Sequence, residues 1–316
     1  MSEVILQPSS ERGAILARCS YPFLLAGLGL AIYWVSKFPQ DLALVAAVKG
    51  AVTVGVLLYL ELRYPLQARW GPTWHLLLRR DALLLLVNGA TFGLLNYALV
   101  LLAIDAAAGW QGWASGRPIW LQVVWGLVVF ELLQYSVHRA MHLSKGPLTS
   151  FLWRCHALHH LPQQLYLVMH IVFHPLNLLI IRLAVQLLPI WIFGYDPLAV
   201  FIYGSIIALH GTLSHLNFDM RLGWANYLFV GPELHRYHHS ARSHEAVNYG
   251  AALSVFDQLF GTFRYSPGVY PDALGLRVED GYPGQTQPWT SLLFPFVSSR
   301  VVGNVAPATP SRTADE

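Results

Sequence analysis

Six stretches of this chain are each close to the length needed to cross a bilayer, and nothing constrains its fold more. They fall at about 21–38, 42–60, 82–104, 119–137, 175–193 and 197–214, against the roughly 20 apolar residues that a spanning helix needs. In hydrocarbon every backbone N–H and C=O must find its partner within the protein, so apolar runs of this length read as α-helices. The last two stretches are joined by Gly194-Tyr195-Asp196-Pro197, a turn signal, so they form a hairpin that either spans or re-enters the membrane. Charged residues make up only 12% of the chain, half of the roughly 25% usual in soluble domains. Lys49 and Arg182 lie inside apolar stretches, where a charge costs roughly 2.5–3.5 kcal/mol. Each must snorkel, face the protein interior, or mark a misplaced boundary.

The expected fold class is therefore an all-α integral membrane protein, with four transmembrane helices followed by the membrane-inserted hairpin. The basic residues orient it. Arg12, Arg18, Arg63, Arg69, Arg79, Arg80, Arg139, Lys145 and Arg154 flank one set of helix ends, and Lys37 and Arg117 the other. The positive-inside rule puts the richer set in the cytoplasm. Beyond about residue 215 the chain turns mixed and turn-rich, which reads as a cytoplasmic cap, and 296–316 as a disordered tail rich in Ser, Thr, Pro and Ala. A net charge of +3 without basic runs gives no case for nucleic acid. Cys19 and Cys155 cannot build a disulfide framework. The opening residues lack the basic start of a signal peptide, so the first helix is expected to be retained.

The histidines are clustered: His138-Arg-Ala-Met-His142, then His156-Ala-Leu-His159-His160, then His235-Arg-Tyr-His238-His239, with His210 and His215 between the last two. On a helix HxxxH sets two rings about 40° apart, and HxxHH holds three within roughly a 100° arc. With 14 histidines in 316 residues, chance supplies about 0.03 copies of HxxHH. Imidazole suits iron and zinc, and one ion needs only three or four protein ligands, so eight to ten rings call for two metals. His210 and His215 are five residues apart, about 140° around a regular helix, and share a centre only if the helix breaks near Gly211. Both are taken as candidate ligands.

Glu131 and Tyr135 lie on the same helical stripe as His138 and His142, and are the candidate catalytic residues. Glu131 stands about 10 Å along the axis from His138, too far to share its ion. It either orients a ligand from another helix or pairs with Lys49 or Arg182. His170 and His174 form a further HxxxH just before Pro175, and read as supporting or core histidines despite their ligand-like spacing.

Two rival functions are weak. A metalloprotease lacks its HExxH, since His138 is followed by Arg139. A non-enzymatic zinc-binding membrane protein or metal carrier would spread its ligands along a path through the bilayer, whereas these gather at helix ends.

The series His138…His142, Trp153-Arg-Cys-His156…His159-His160, Phe173-His174-Pro175, His215-Leu-Asn217, Pro232-Glu-Leu-His235…His238-His239-Ser240, Asn248-Tyr249-Gly250 and Phe256-Asp257…Gly261-Thr262 resembles the fatty acid hydroxylase superfamily, also called the sterol desaturase family. The resemblance runs from about Glu131 to Arg264. It implies a membrane-bound, non-haem di-iron oxygenase that inserts oxygen into an unactivated C–H bond of a lipid-like substrate, fatty acyl, sterol or related, with a desaturase as the alternative at the same site. His138, His142, His156, His159, His160, His215, His235, His238 and His239 would bind two Fe ions, with His210 a tenth. Zinc would substitute readily in recombinant material. His174, Asn217, Asn248 and Asp257 would support the ligands. Electrons would come from a separate donor, a ferredoxin, b-type cytochrome or reductase, because no dinucleotide fingerprint is present. The chain would divide into N-terminal transmembrane helices at 1–118, a catalytic domain at 119–265, and a C-terminal cap with its tail at 266–316. Glu131, where many relatives show Asp, Phe256, where Trp is usual, and the added His170 mark a subgroup.

Overall fold

The computed structural model describes residues 4–5, 11–106 and 111–297, so most of the expected tail lies outside it. Helix α1 (Glu11–Lys37) starts ten residues before the apolar stretch read from the sequence, because its first turns pack on protein rather than lipid. It is followed by α2 (Leu42–Arg63), a short α3 (Trp74–Leu76) and α4 (Ala82–Ala106). Next come α5 (Ile119–Leu143) and α6 (Pro147–His160). The expected hairpin is built from α7 (Pro175–Ile180), a π-helical stretch over Ile181–Leu187, α8 (Leu188–Phe193) and α9 (Pro197–Ser214). Gly194 makes the turn in the left-handed region, φ 63°, where glycine carries no steric penalty. Short helices α10 (Pro232–His238), α11 (Val255–Leu259) and α12 (Pro288–Leu293) complete the chain. A two-residue ladder between β1 (Val4–Ile5) and β2 (Val269–Tyr270) is a small departure from an all-α fold.

Five segments among the described residues are long and apolar enough to cross a membrane: Gly13–Lys37, Pro39–Arg63, Ile119–Leu143, Pro175–Phe193 and Pro197–Ser214. Leu30, Leu44, Leu86 and Trp120 point outward, a surface suited to lipid rather than water. One core joins α1, α2 and α9 through Tyr21, Leu24, Leu57, Leu60, Leu209 and Leu213. Helices α5 and α9 approach closely at Gly126, where a Cβ would lie 2.6 Å from the Tyr203 ring.

The two intramembrane charges have separate settings. Lys49 lines an apolar groove of about 520 Å³ between α1, α2 and α9, with Asp41 its other charged lining residue. Arg182 sits in the π-helical stretch, its guanidinium 4.5 Å from the Phe92 ring centroid and 2.5 Å from Gln186 Oε1. Arg80 is no free surface charge. It is buried against Asp81 at 2.7 Å and the Tyr166 hydroxyl at 3.1 Å.

The helix ends that carry histidines meet one layer of short helices and loops. The start of α1 joins it where Ala17 O accepts from Arg221 N, at 2.9 Å. The end of α2 joins it where the Glu61 carboxylate accepts from Leu167 N and Asn217 N, both at 2.9 Å. Such bonds fix the loops against the helix bundle.

Candidate metal centre

Nine histidines from four segments converge into two groups. His138, His142, His156, His160 and His238 form the first, and His159, His215, His235 and His239 the second, with the ligand atoms of each group within 4.8 Å of one another. Each HxxHH is divided between them. The rings at its ends, His156 with His160 and His235 with His239, enter one group, while His159 and His238 cross to the other. Helix geometry explains the division. Positions i and i+4 differ by about 40°, whereas i+3 falls about 60° to the other side of i. The groups touch: the rings of His160 and His239, one from each, stack at 4.3 Å.

The outer nitrogens decide what the inner ones can do. His138 Nδ1 donates to Tyr249 O at 2.7 Å, His156 Nδ1 to Asn177 Oδ1 at 2.8 Å, His159 Nδ1 to Val172 O at 3.1 Å and His238 Nδ1 to Val247 O at 3.2 Å. An acceptor at Nδ1 places the single proton of a neutral ring there and leaves Nε2 as a bare lone pair. The Nε2 atoms of His138 and His156 are nevertheless 3.0 Å apart, with no proton left to lie between them. His142 Nε2 and His238 Nε2 are buried without a hydrogen-bond partner. Protonation is opposed as well. Burial, followed by repulsion from the neighbouring rings, holds His156, His159, His160, His215, His238 and His239 well below the ordinary imidazole range. Burial likewise lowers His235 to about 3. Converging nitrogens on neutral, buried rings can hold a cation, so the residues fit a metal.

Their spacing bears on which coordination fits. Neighbouring Nε2 atoms in the second group lie 2.9–3.2 Å apart. With metal–nitrogen distances of about 2.0–2.1 Å, a right angle at the ion gives about 2.9 Å and a tetrahedral angle about 3.3 Å, and the observed spacings lie in the interval between them. Five donors in the first group exceed a tetrahedral shell. The donor sets of five and four nitrogens are each sufficient to hold an ion.

The remaining candidates are placed as follows. His210 is outside both groups: its Nδ1 is 2.9 Å from Val230 O and its Nε2 3.4 Å from the Tyr21 hydroxyl. Helix α9 stays helical through Gly211, so the break that would have aimed it beside His215 is absent. Glu131 pairs with neither Lys49 nor Arg182. Its fully buried carboxylate accepts from the backbone N–H groups of Ala251, Ala252 and Leu253 at 2.7, 2.9 and 2.8 Å, anchoring the loop whose Tyr249 O holds His138. Tyr135 reaches Thr262 Oγ1 at 3.0 Å and accepts from Arg139 at 3.0 Å.

Asp257 accepts from Tyr249 N, Gly250 N and Thr262 Oγ1 at 2.8, 2.8 and 2.7 Å, and burial still raises its pKa to about 6. Asn248 takes the left-handed conformation, φ 62°, and ties Leu234 O to both the N–H and C=O of Arg264. Asn217 bonds the backbone of Gln67, and His174 bridges Leu176 N and Leu292 O. Asn177 was missed by sequence reasoning, as were the carbonyls of Val172, Val247 and Tyr249. A polar residue two positions after Pro175, inside an apolar run, was the one available signal for Asn177.

Apolar helices ending in two clusters of buried neutral histidines define a membrane protein with a site able to bind metal. The sequence model of the family described as fatty acid hydroxylase matches residues 123–262. The ornithine lipid hydroxylase OlsE of Rhizobium tropici is 32% identical over 304 residues, covering 91% of this chain and 88% of that protein. The alkylglycerol monooxygenase of Homo sapiens is 28% identical over 138 residues, 41% of this chain and 27% of that protein. No solved structure matches significantly. The chain belongs to the fatty acid hydroxylase superfamily.

Proposed function

We propose that the chain is a membrane-bound di-iron monooxygenase that hydroxylates a lipid at an unactivated C–H bond, using O₂ and two external electrons. The observation that carries this reading is the pair of adjacent groups of neutral, buried histidines, one of five rings and one of four. The first group would hold one iron and the second group the other. Bound iron supplies the activation of dioxygen. The protein's own part is to fix the tautomers of His138, His156, His159 and His238 through their outer nitrogens, to keep the rings unprotonated by burial, and to exclude water with the apolar helix ends.

The relative matched over most of its length is an ornithine lipid hydroxylase, and we take ornithine lipid as the first substrate to test. We further assign the histidine layer to the cytoplasmic face, where a ferredoxin, b-type cytochrome or reductase would deliver electrons. Residues 1–118 would act as the membrane anchor, 119–265 as the catalytic unit and 266–316 as cap and tail.

Lipid profiling of a host making ornithine lipid tests the reading. With the wild-type chain a lipid should gain one oxygen, and with His159→Ala it should not. A loss of two hydrogens would instead mark a desaturase, and an unchanged lipid profile with the wild-type chain would reject this substrate.

A further inference from the structure

Three of the histidine segments supply a pair of rings one turn apart to the same group: His138 with His142, His156 with His160, and His235 with His239. Helix α9 breaks this pattern. His215 follows its last turn, and the position four residues earlier is Gly211. The second group is accordingly one donor poorer than the first.

The space above Gly211 is filled by another imidazole. A Cβ on Gly211 would lie 2.8 Å from Cε1 of His170 and 3.6 Å from each of its ring nitrogens. Gly211 is ordinary helix, so glycine is needed there for this close approach and not for its backbone angles. His170 arrives on the 3₁₀ turn Leu167–Ile171. Glu61 holds that turn at Leu167 N, and Asn88 donates to Ile171 O and Phe173 O at 3.0 and 3.1 Å. The His170 ring lies 6.0 Å from that of His215, beyond the 4.4–5.0 Å that separate His215 from the other rings of its group. Among the described residues neither ring nitrogen of His170 has a hydrogen-bond partner.

We infer that His170 is the fifth nitrogen donor of the second group, replacing from a loop the histidine that α9 lacks at position 211, and is drawn in when the ion binds. This rests on the reading of both groups as metal sites. Each site would then have five imidazoles, and a ring placed to pack against a glycine would also serve as a ligand.

The test uses the purified full chain loaded with Co²⁺, read by metal content, visible absorption and rate of release to a chelator. The wild type should hold two ions; if it holds none, the metal-site reading itself fails, separately from the role of His170. His170→Ala, and His170→Phe, which keeps a ring against Gly211 without a donor, should each release one ion about tenfold faster or more. The absorption of that one site should change. The double variant H170A/G211H should recover the slow release. A folded His170→Phe protein that keeps both ions at wild-type rates and with the wild-type spectrum would overturn the assignment.

Discussion

Asn177 shows how one side chain can set the chemistry of another. By accepting from His156 Nδ1 at 2.8 Å it puts the proton on the outer nitrogen and turns the bare one inward. Asn177→Leu should therefore lower affinity at the first group by about tenfold to a hundredfold while leaving the second group intact, measured by chelator competition. The sequence singles out the clustered histidines as candidate ligands, because HxxHH is so improbable by chance. It does not show which carbonyl receives each Nδ1–H, because every residue carries the same carbonyl and only tertiary contact selects one. His210 illustrates the same limit, since spacing cannot say that its ring bonds Val230 O.

A second consequence at this scale concerns pH. The unfolded chain protonates its histidines near pH 6.5, while in the fold His235 is lowered to about 3 and the six other rings cited with it lie well below the ordinary value. Depressed histidine pKa values mean that the unfolded state binds more protons between those limits. The metal-free protein should be most stable above pH 6.5 and lose stability as the pH falls through the window below it, because protons taken up by the unfolded chain favour that state. Thermal unfolding in detergent should thus show a lower Tm at pH 5.5 than at 7.5. A flat profile would mean that the rings are not buried neutral.

Among the elements, α5 has two tasks, carrying His138 and His142 and anchoring the loop 249–253 through Glu131. Glu131→Gln replaces one accepting oxygen by an amide donor that faces backbone N–H groups. The loss of a charge-assisted buried bond should cost about 1.5–3 kcal/mol, seen as a lower Tm, with faster metal loss from the first group as His138 loosens. Gly126→Leu should push α5 from α9 at the Tyr203 ring, costing about 1–3 kcal/mol by overpacking. The long apolar helices were legible from apolar length alone. Their ends were less so: α1 begins at Glu11, ahead of the apolar stretch, and is held near its start at Ala17 by a bond from Arg221 N, which hydropathy does not report.

For the whole molecule, the sequence foretells why the metal groups and the membrane belong together. Apolar helices bring their histidine-bearing ends into one layer, where α6, α10 and the loops complete both groups. The division of each HxxHH between the two groups follows from helix angles, yet it becomes visible only when the helices face one another. The most direct measurement is incubation of the iron-loaded protein with ornithine lipid, a reductant system and isotopically heavy O₂, followed by mass spectrometry of the lipid. The expected result is one heavy oxygen atom in the product with the wild type and none with His159→Ala or His160→Ala, which remove a ring from different groups. Product oxygen drawn from water, or equal labelling by the variants, would contradict a histidine-bound di-iron oxygenase.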